Sequence, residues 1–110
     1  MTFIPPTPLP VKRELSASKR VEIEPGSFGT IDIKEKISVP KGKTVIISVR
    51  KKFGDMGLSL GASFAEEGYC GYLKLQLSNR STKLAEINKD EPVVNFIVVD
   101  AHHDDIIVPE

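Results

Sequence analysis

The chain has 110 residues, and its 15 basic residues balance 15 acidic ones. That length fits one domain with a modest core, and a net charge near zero gives no reason to expect broad binding to nucleic acid or anionic lipid. A single cysteine, Cys70, excludes an intrachain disulfide and fits a reducing compartment.

No apolar run approaches the ~18 residues of a transmembrane helix. The N-terminal segment has prolines where a signal peptide would carry its apolar region. The expected location is therefore the cytoplasm, or a virion assembled there.

Residues 1–10, MTFIPPTPLP, hold four prolines. Proline fixes φ and cannot donate to a ladder, so this segment reads as an extended arm, either frayed or lying on a partner. Residues 11–20 are basic and polar and are expected to hold a short helical turn at most. Residues 1–20 are taken as the arm, 21–101 as the domain, and 102–110 as a tail.

Strand signals begin at residue 21. Val21 and Ile23 alternate with Glu22 and Glu24 before the turn at Pro25-Gly26. Phe28–Ile33 is a second candidate. Ile37 and Val39 alternate ahead of Pro40-Lys41-Gly42, and Thr44–Val49 is a dense β-branched run. The clearest strand is YLKLQLSN, with Leu73, Leu75 and Leu77 on one face and Lys74, Gln76 and Ser78 on the other. Glu86-Ile87 is a short candidate. Val93–Val99 is almost wholly apolar and reads as a central strand buried on both faces. Ile106–Val108 is a possible last edge. No window shows a 3.6-residue period, so the pattern is that of an all-β sandwich or barrel.

Several motifs point to chemistry less firmly. Gly42-Lys43-Thr44 resembles the end of a phosphate-binding loop, but Ile37 stands where its first glycine belongs and a strand follows instead of a helix. His102, His103, Asp104 and Asp105 are consecutive, and an extended chain aims neighbours to opposite faces, so one strand cannot aim all four at a single ion; they read as a solvated tail, the alternative being an adventitious or interface metal. Asn79-Arg80-Ser81 fits a glycosylation sequon with no secretion signal to use it. Arg50-Lys51-Lys52 is either a solvated triplet or a phosphate contact. Cys70 has no nearby histidine to activate it.

The stretch GASFAEEGYCGYLKLQLSN, residues 61–79, resembles the third motif of the dUTPase and dCTP deaminase superfamily. In dUTPases this motif runs roughly Gly-x-Ile-Asp-x-x-Tyr-x-Gly into an alternating strand that ends in Asn. Tyr69, Gly71 and Asn79 match it, and Glu66 falls on the catalytic aspartate. INKDEPVVNFIVV is similar to the fourth motif, with Asn95 in place of its glutamine, Asp90 of its glycine and Pro92 of its arginine. EIEPGSFGTIDIKEKISVPKG is similar to the Pro-Gly-x-Phe stretch of the deaminases. RKKFGDMG aligns Arg50 and Gly57 with the second motif, whose two serines have become Lys51 and Lys52.

The resemblance covers roughly residues 20–100. It implies a small distorted β-barrel or jelly roll of the β-clip type, assembled as a homotrimer with sites between subunits. It also implies a possible deoxynucleoside triphosphate ligand and, if the chain is active, hydrolysis of dUTP to dUMP and pyrophosphate with Mg²⁺. In that scheme Glu66 is the general base, Tyr69 lies under the sugar, and Gly61, Asn95, Arg50, Lys51 and Lys52 serve binding.

The first motif, the second-motif serines and the Gly-rich fifth motif have no counterpart. The expectation is thus a family member that has lost most catalytic motifs and serves a structural, binding or regulatory role. Viruses and mobile elements often carry such proteins. A protein partner is expected at the N-terminal arm. The alternative is a divergent Mg²⁺-dependent pyrophosphatase. The residues alone also admit an unrelated β-sandwich interaction module.

Overall fold

Alternation of apolar and polar residues builds the sheets of this chain. A computed structural model describes residues 13–61 and 63–101. The elements are β1 (Glu14–Ser16), β2 (Val21–Ile23), β3 (Phe28–Ser38), β4 (Lys43–Val49), α1 (Lys51–Asp55), β5 (Leu58–Leu60), β6 (Ser63–Ala65), β7 (Cys70–Asn79), β8 (Ala85–Ile87) and β9 (Pro92–Asp100).

The strands form three antiparallel sheets, in the orders β1-β9-β4-β6, β2-β8 and β3-β7-β5. They share one apolar core, to which Leu15, Val45, Ile47 and Val94 contribute from the first sheet and Ile31, Leu75 and Leu77 from the third. The all-β class expected from the sequence is the class observed.

Several expectations need correction. Glu14–Ser16 lie in a segment expected to hold at most a helical turn; they pair with β9 as an outer strand. The ladder thus begins inside residues 1–20. The candidates at Phe28–Ile33 and Ile37–Val39 belong largely to one strand, β3, which is interrupted by a shift in register between Asp32 and Lys36. That bulge places the Glu35 carboxylate against the Ser16 N–H, at 2.8 and 3.2 Å, so a carboxylate accepts an amide that the ladder cannot.

A helix was not expected. Five residues with a glycine among them are too few for a period to show, and burial of Phe53 holds α1 in place.

β9 departs most from its expected burial. Val93 and Val94 are both fully buried, as expected of a central strand, but Ile97 is 52% exposed and Val98 50%. The C-terminal half of β9 outruns the cover that the described residues supply. The N-terminal arm (1–10), the residues 102–105 and the candidate edge 106–108 lie outside the described residues.

Candidate functional site

The loop joining β6 to β7 is a tight turn set by Gly68. The Tyr69 N–H donates to the Glu66 carbonyl at 3.0 Å, and Gly68 takes φ 83°, a conformation that costs an L side chain about 1–2 kcal/mol. Two backbone bonds dock this turn on Val39: Gly68 N–H to the Val39 carbonyl (3.0 Å), and Val39 N–H to the Tyr69 carbonyl (2.8 Å). The Glu67 carboxylate accepts the Gly42 N–H at 2.7 Å, which fixes the neighbouring Pro40–Gly42 turn to the same loop. The Tyr69 hydroxyl donates to the Tyr72 carbonyl at 3.0 Å.

Glu66 is therefore carried by a rigid turn, and its side chain is exposed. It lines a cavity of about 570 Å³ together with Thr44, Ile46, Phe64, Val99 and Asp100. Tyr69 is not part of that lining; its ring is 37% exposed beside the turn.

Arg50, Lys51 and Lys52 lie at the other end of β4. Thr44 is level with Glu66 by the β4–β6 register, and Arg50 is six residues further on, roughly 20 Å along an extended strand. Asn95 sits between Glu14 and Ser48 in the sheet and belongs to the Arg50 end. Gly61 precedes β6, whose first residue, Ser63, is opposite Ile47, so it too lies toward that end. Within one chain the candidate residues form two groups, not one site.

Each of the three cations has a carboxylate partner. Arg50 faces Glu14 at 3.5 Å, Lys51 faces Asp55 at 2.7 Å, and Lys52 faces Glu91 at 2.6 Å. Glu91 is the best-held of these acids. Burial raises its pKa, but the hydrogen bonds from Lys52 and from the Asn88 N–H, with the charges of Lys52 and Arg50, outweigh that and bring it below its ordinary value. The sequence reading missed Glu91 because it lies 39 residues from Lys52. It also missed the row Phe64, Ile46 and Ile97, which are directly opposite one another across β6, β4 and β9.

Asn79 is a core residue, 1% exposed. Its side-chain amide donates to the carbonyls of Ile23 and Lys83, both at 2.8 Å, and its oxygen accepts from the Ser81 N–H and hydroxyl at 3.0 and 2.7 Å. A glycan cannot be attached to that nitrogen in the folded chain, so the sequon is an accident of a structural clamp.

Among the described residues no three of His, Cys, Asp and Glu converge to hold a metal ion. No described helix is long and apolar enough to cross a membrane.

Residues 7–100 match the dCTP deaminase-like family model. The chain belongs to the dCTP deaminase-like family. Its fold is that of solved dUTPases. A mutant dUTPase of Staphylococcus bacteriophage 80alpha with dUpNHpp superposes with a TM-score of 0.77 at 15% identity, over 88% of this chain and 84% of that one. A mutant dUTPase of phage phi11 of S. aureus, described with a structural Mg(II) ion, gives 0.78 at 14% identity over 98% and 90%. The native EIAV dUTPase gives 0.75 at 16% over 88% and 81%. At such identities the likeness establishes the dUTPase-like fold, in agreement with the motif order along residues 20–100, and leaves the role of each residue to the geometry.

Proposed function

We propose that this protein is a dUTPase-like homotrimer that has lost most of the catalytic machinery and serves a structural, binding or regulatory role. The observation that carries the reading is the pairing of Arg50, Lys51 and Lys52 with Glu14, Asp55 and Glu91. A triphosphate would have to compete with these carboxylates, and lysine ammonium groups lack the short hydroxyl donors that the family's second motif provides.

The exposed row of Phe64, Ile46 and Ile97, with Val99 beside it, supports assembly. Phe64 and Ile97 are 58% and 52% exposed, and a contiguous apolar face of this kind marks an interaction surface. Assembly would also bring the Glu66 end of one subunit toward the Arg50 end of another, as the family resemblance implies.

A second reading is a divergent Mg²⁺-dependent deoxynucleoside triphosphate pyrophosphatase. It is favoured by Glu66, an exposed carboxylate on a rigid turn at the edge of a 570 Å³ cavity. In that reading Glu66 orients water and Tyr69 packs under the sugar, while Asn95, Arg50, Lys51 and Lys52 approach from a neighbour.

One experiment separates the readings. Purified protein with Mg²⁺ is given dUTP, dCTP and dTTP in turn, and pyrophosphate release and the base are followed. The first reading expects no product from any of them, and a trimer by light scattering. Monophosphate from dUTP that disappears in Glu66→Ala would establish the second and overturn the first.

A further inference from the structure

β3 and β7 pair along most of their lengths, and their two faces differ in character. Ile31, Ile33, Leu73 and Leu75 belong to the core. Thr30, Lys36, Tyr72, Lys74 and Gln76 are exposed on the other side, as the period of two requires. On this outer face Lys36 is directly opposite Tyr72, and Asp32 is opposite Lys74. Tyr72 is 62% exposed. At the far end of the same face Phe28, opposite Ser78, is 65% exposed.

The charge near Tyr72 is one-sided. Lys19 holds the Asp32 carboxylate at 3.3 Å, and Lys34 is taken by Asp90 at 3.1 Å. Glu35, the acid of the β3 bulge, turns instead to the Ser16 N–H at 2.8 Å. Lys36 and Lys74 are left with no carboxylate partner among the described residues. Tyr72 stands between them, opposite one and two residues from the other. Asp32, Lys34, Tyr72 and Lys74 also line a cavity of about 390 Å³, so the cluster frames a concave surface.

Two lysines alone would be an ordinary solvated surface. The aromatics are not explained by solvation: each holds a large apolar area in water, and aromatic residues are enriched at the centres of protein interfaces. Phe28 is level with Ser78, six residues from Tyr72 and so roughly 20 Å along the strand. A ligand that reaches both ends is extended, anionic at one end and apolar at the other. Two unpaired lysines are too few for nucleic acid, whose affinity rests on many phosphate contacts. A short acidic peptide segment matches them with carboxylates, while Tyr72 supplies contact area and a hydroxyl donor.

We propose that the outer face of β3 and β7 docks an extended acidic segment of a protein partner, with its carboxylates at Lys36 and Lys74 and an apolar side chain at Phe28. The inference uses none of the residues assigned to a nucleotide site and stands whether or not nucleotides bind.

The test titrates the full chain into a fluorescein-labelled peptide of about 12 residues, with a run of glutamates and a leucine roughly six positions away. Binding at low salt should weaken at least about tenfold in Lys36→Glu/Lys74→Glu, which turns two attractions into repulsions, and at least about threefold in Tyr72→Ala. Lys41→Glu/Lys83→Glu makes the same change in net charge elsewhere on the surface and should alter binding by less than about twofold. Equal losses in the two double variants would reduce the effect to net charge and overturn the proposal. No binding by the wild type at ~1 mM, a concentration that detects contacts worth only about 4 kcal/mol, would overturn it as well. Tighter binding of an oligothymidylate than of the peptide, lost in the same Lys36→Glu/Lys74→Glu variant, would make this a nucleic-acid surface and overturn the assignment to a protein segment.

Discussion

Glu66 and Asn79 lie in the same motif-bearing stretch, and the fold uses them in opposite ways. Glu66 is exposed at the edge of a cavity. Asn79 is sealed in the core, where its side chain joins β2 to the 81–83 loop through four hydrogen bonds. A match to a family motif therefore mixes two kinds of residue. One kind is kept because the scaffold collapses without it, and the other because chemistry needs it. The family's third motif can persist for its asparagine and its glycines even after its carboxylate has lost its task.

The largest expected effect breaks the comparison at its buried end. Asn79→Ala leaves the Ile23 carbonyl without its buried donor and loosens the 81–83 loop. With each orphaned group costing ~1–3 kcal/mol, the variant should lose about 2–4 kcal/mol. For a domain of this size that lowers the melting temperature by roughly 10–20 °C. A shift under a few degrees would mean that the clamp is dispensable and that Asn79 was kept for another reason.

How legible this was in the sequence depends on how far the deciding contact lies. β2, β4, β7 and β8 announce themselves through local alternation or β-branched runs, and Gly68 announces its turn. β1, β5 and β6 are three residues each and exist only because β9, β7 and β4 offer them a ladder, so no local pattern reveals them. The apolar run of β9 was legible as a strand. Its burial was not, because an outward apolar face looks the same in sequence whether its own chain or a partner covers it. At the site, Glu66 and Tyr69 were legible through motif spacing. The counter-charges Glu14 and Glu91 were not, because they reach Arg50 and Lys52 only through the fold.

Intermediate effects sharpen the exposed end. A Cβ at Gly68 would meet nothing within 4 Å, so Gly68→Ala isolates the backbone cost of its positive φ, about 1–2 kcal/mol. Chemical denaturation should show that loss with an unchanged slope. Glu66→Ala, by contrast, should change stability by less than about 0.5 kcal/mol, as an exposed side chain that holds nothing else in place. If Glu66→Ala proved as damaging as Asn79→Ala, the division of the stretch into scaffold and surface would fail.

The smallest effect concerns Glu91, the acid that occupies Lys52. Its pKa in the folded chain lies below the ordinary 4.5. A depressed carboxylate contributes stability that is present above the unfolded pKa and lost as pH falls through the folded one. Near neutral pH the wild type should therefore melt slightly above Glu91→Gln. The gap should narrow as pH drops below 4.5 and through the lowered folded pKa, below which both forms carry a neutral group. Other acids titrate in both proteins and cancel in the difference. Lys52 is more than half exposed, so salt screens the pair and the gap should also shrink at high ionic strength. A gap that is constant with pH would show that the charge of Glu91 is not held by Lys52, leaving Lys52 available to a phosphate. That outcome would weaken the reading of the Arg50 end as self-neutralised, and would move the balance toward the nucleotide-binding alternative.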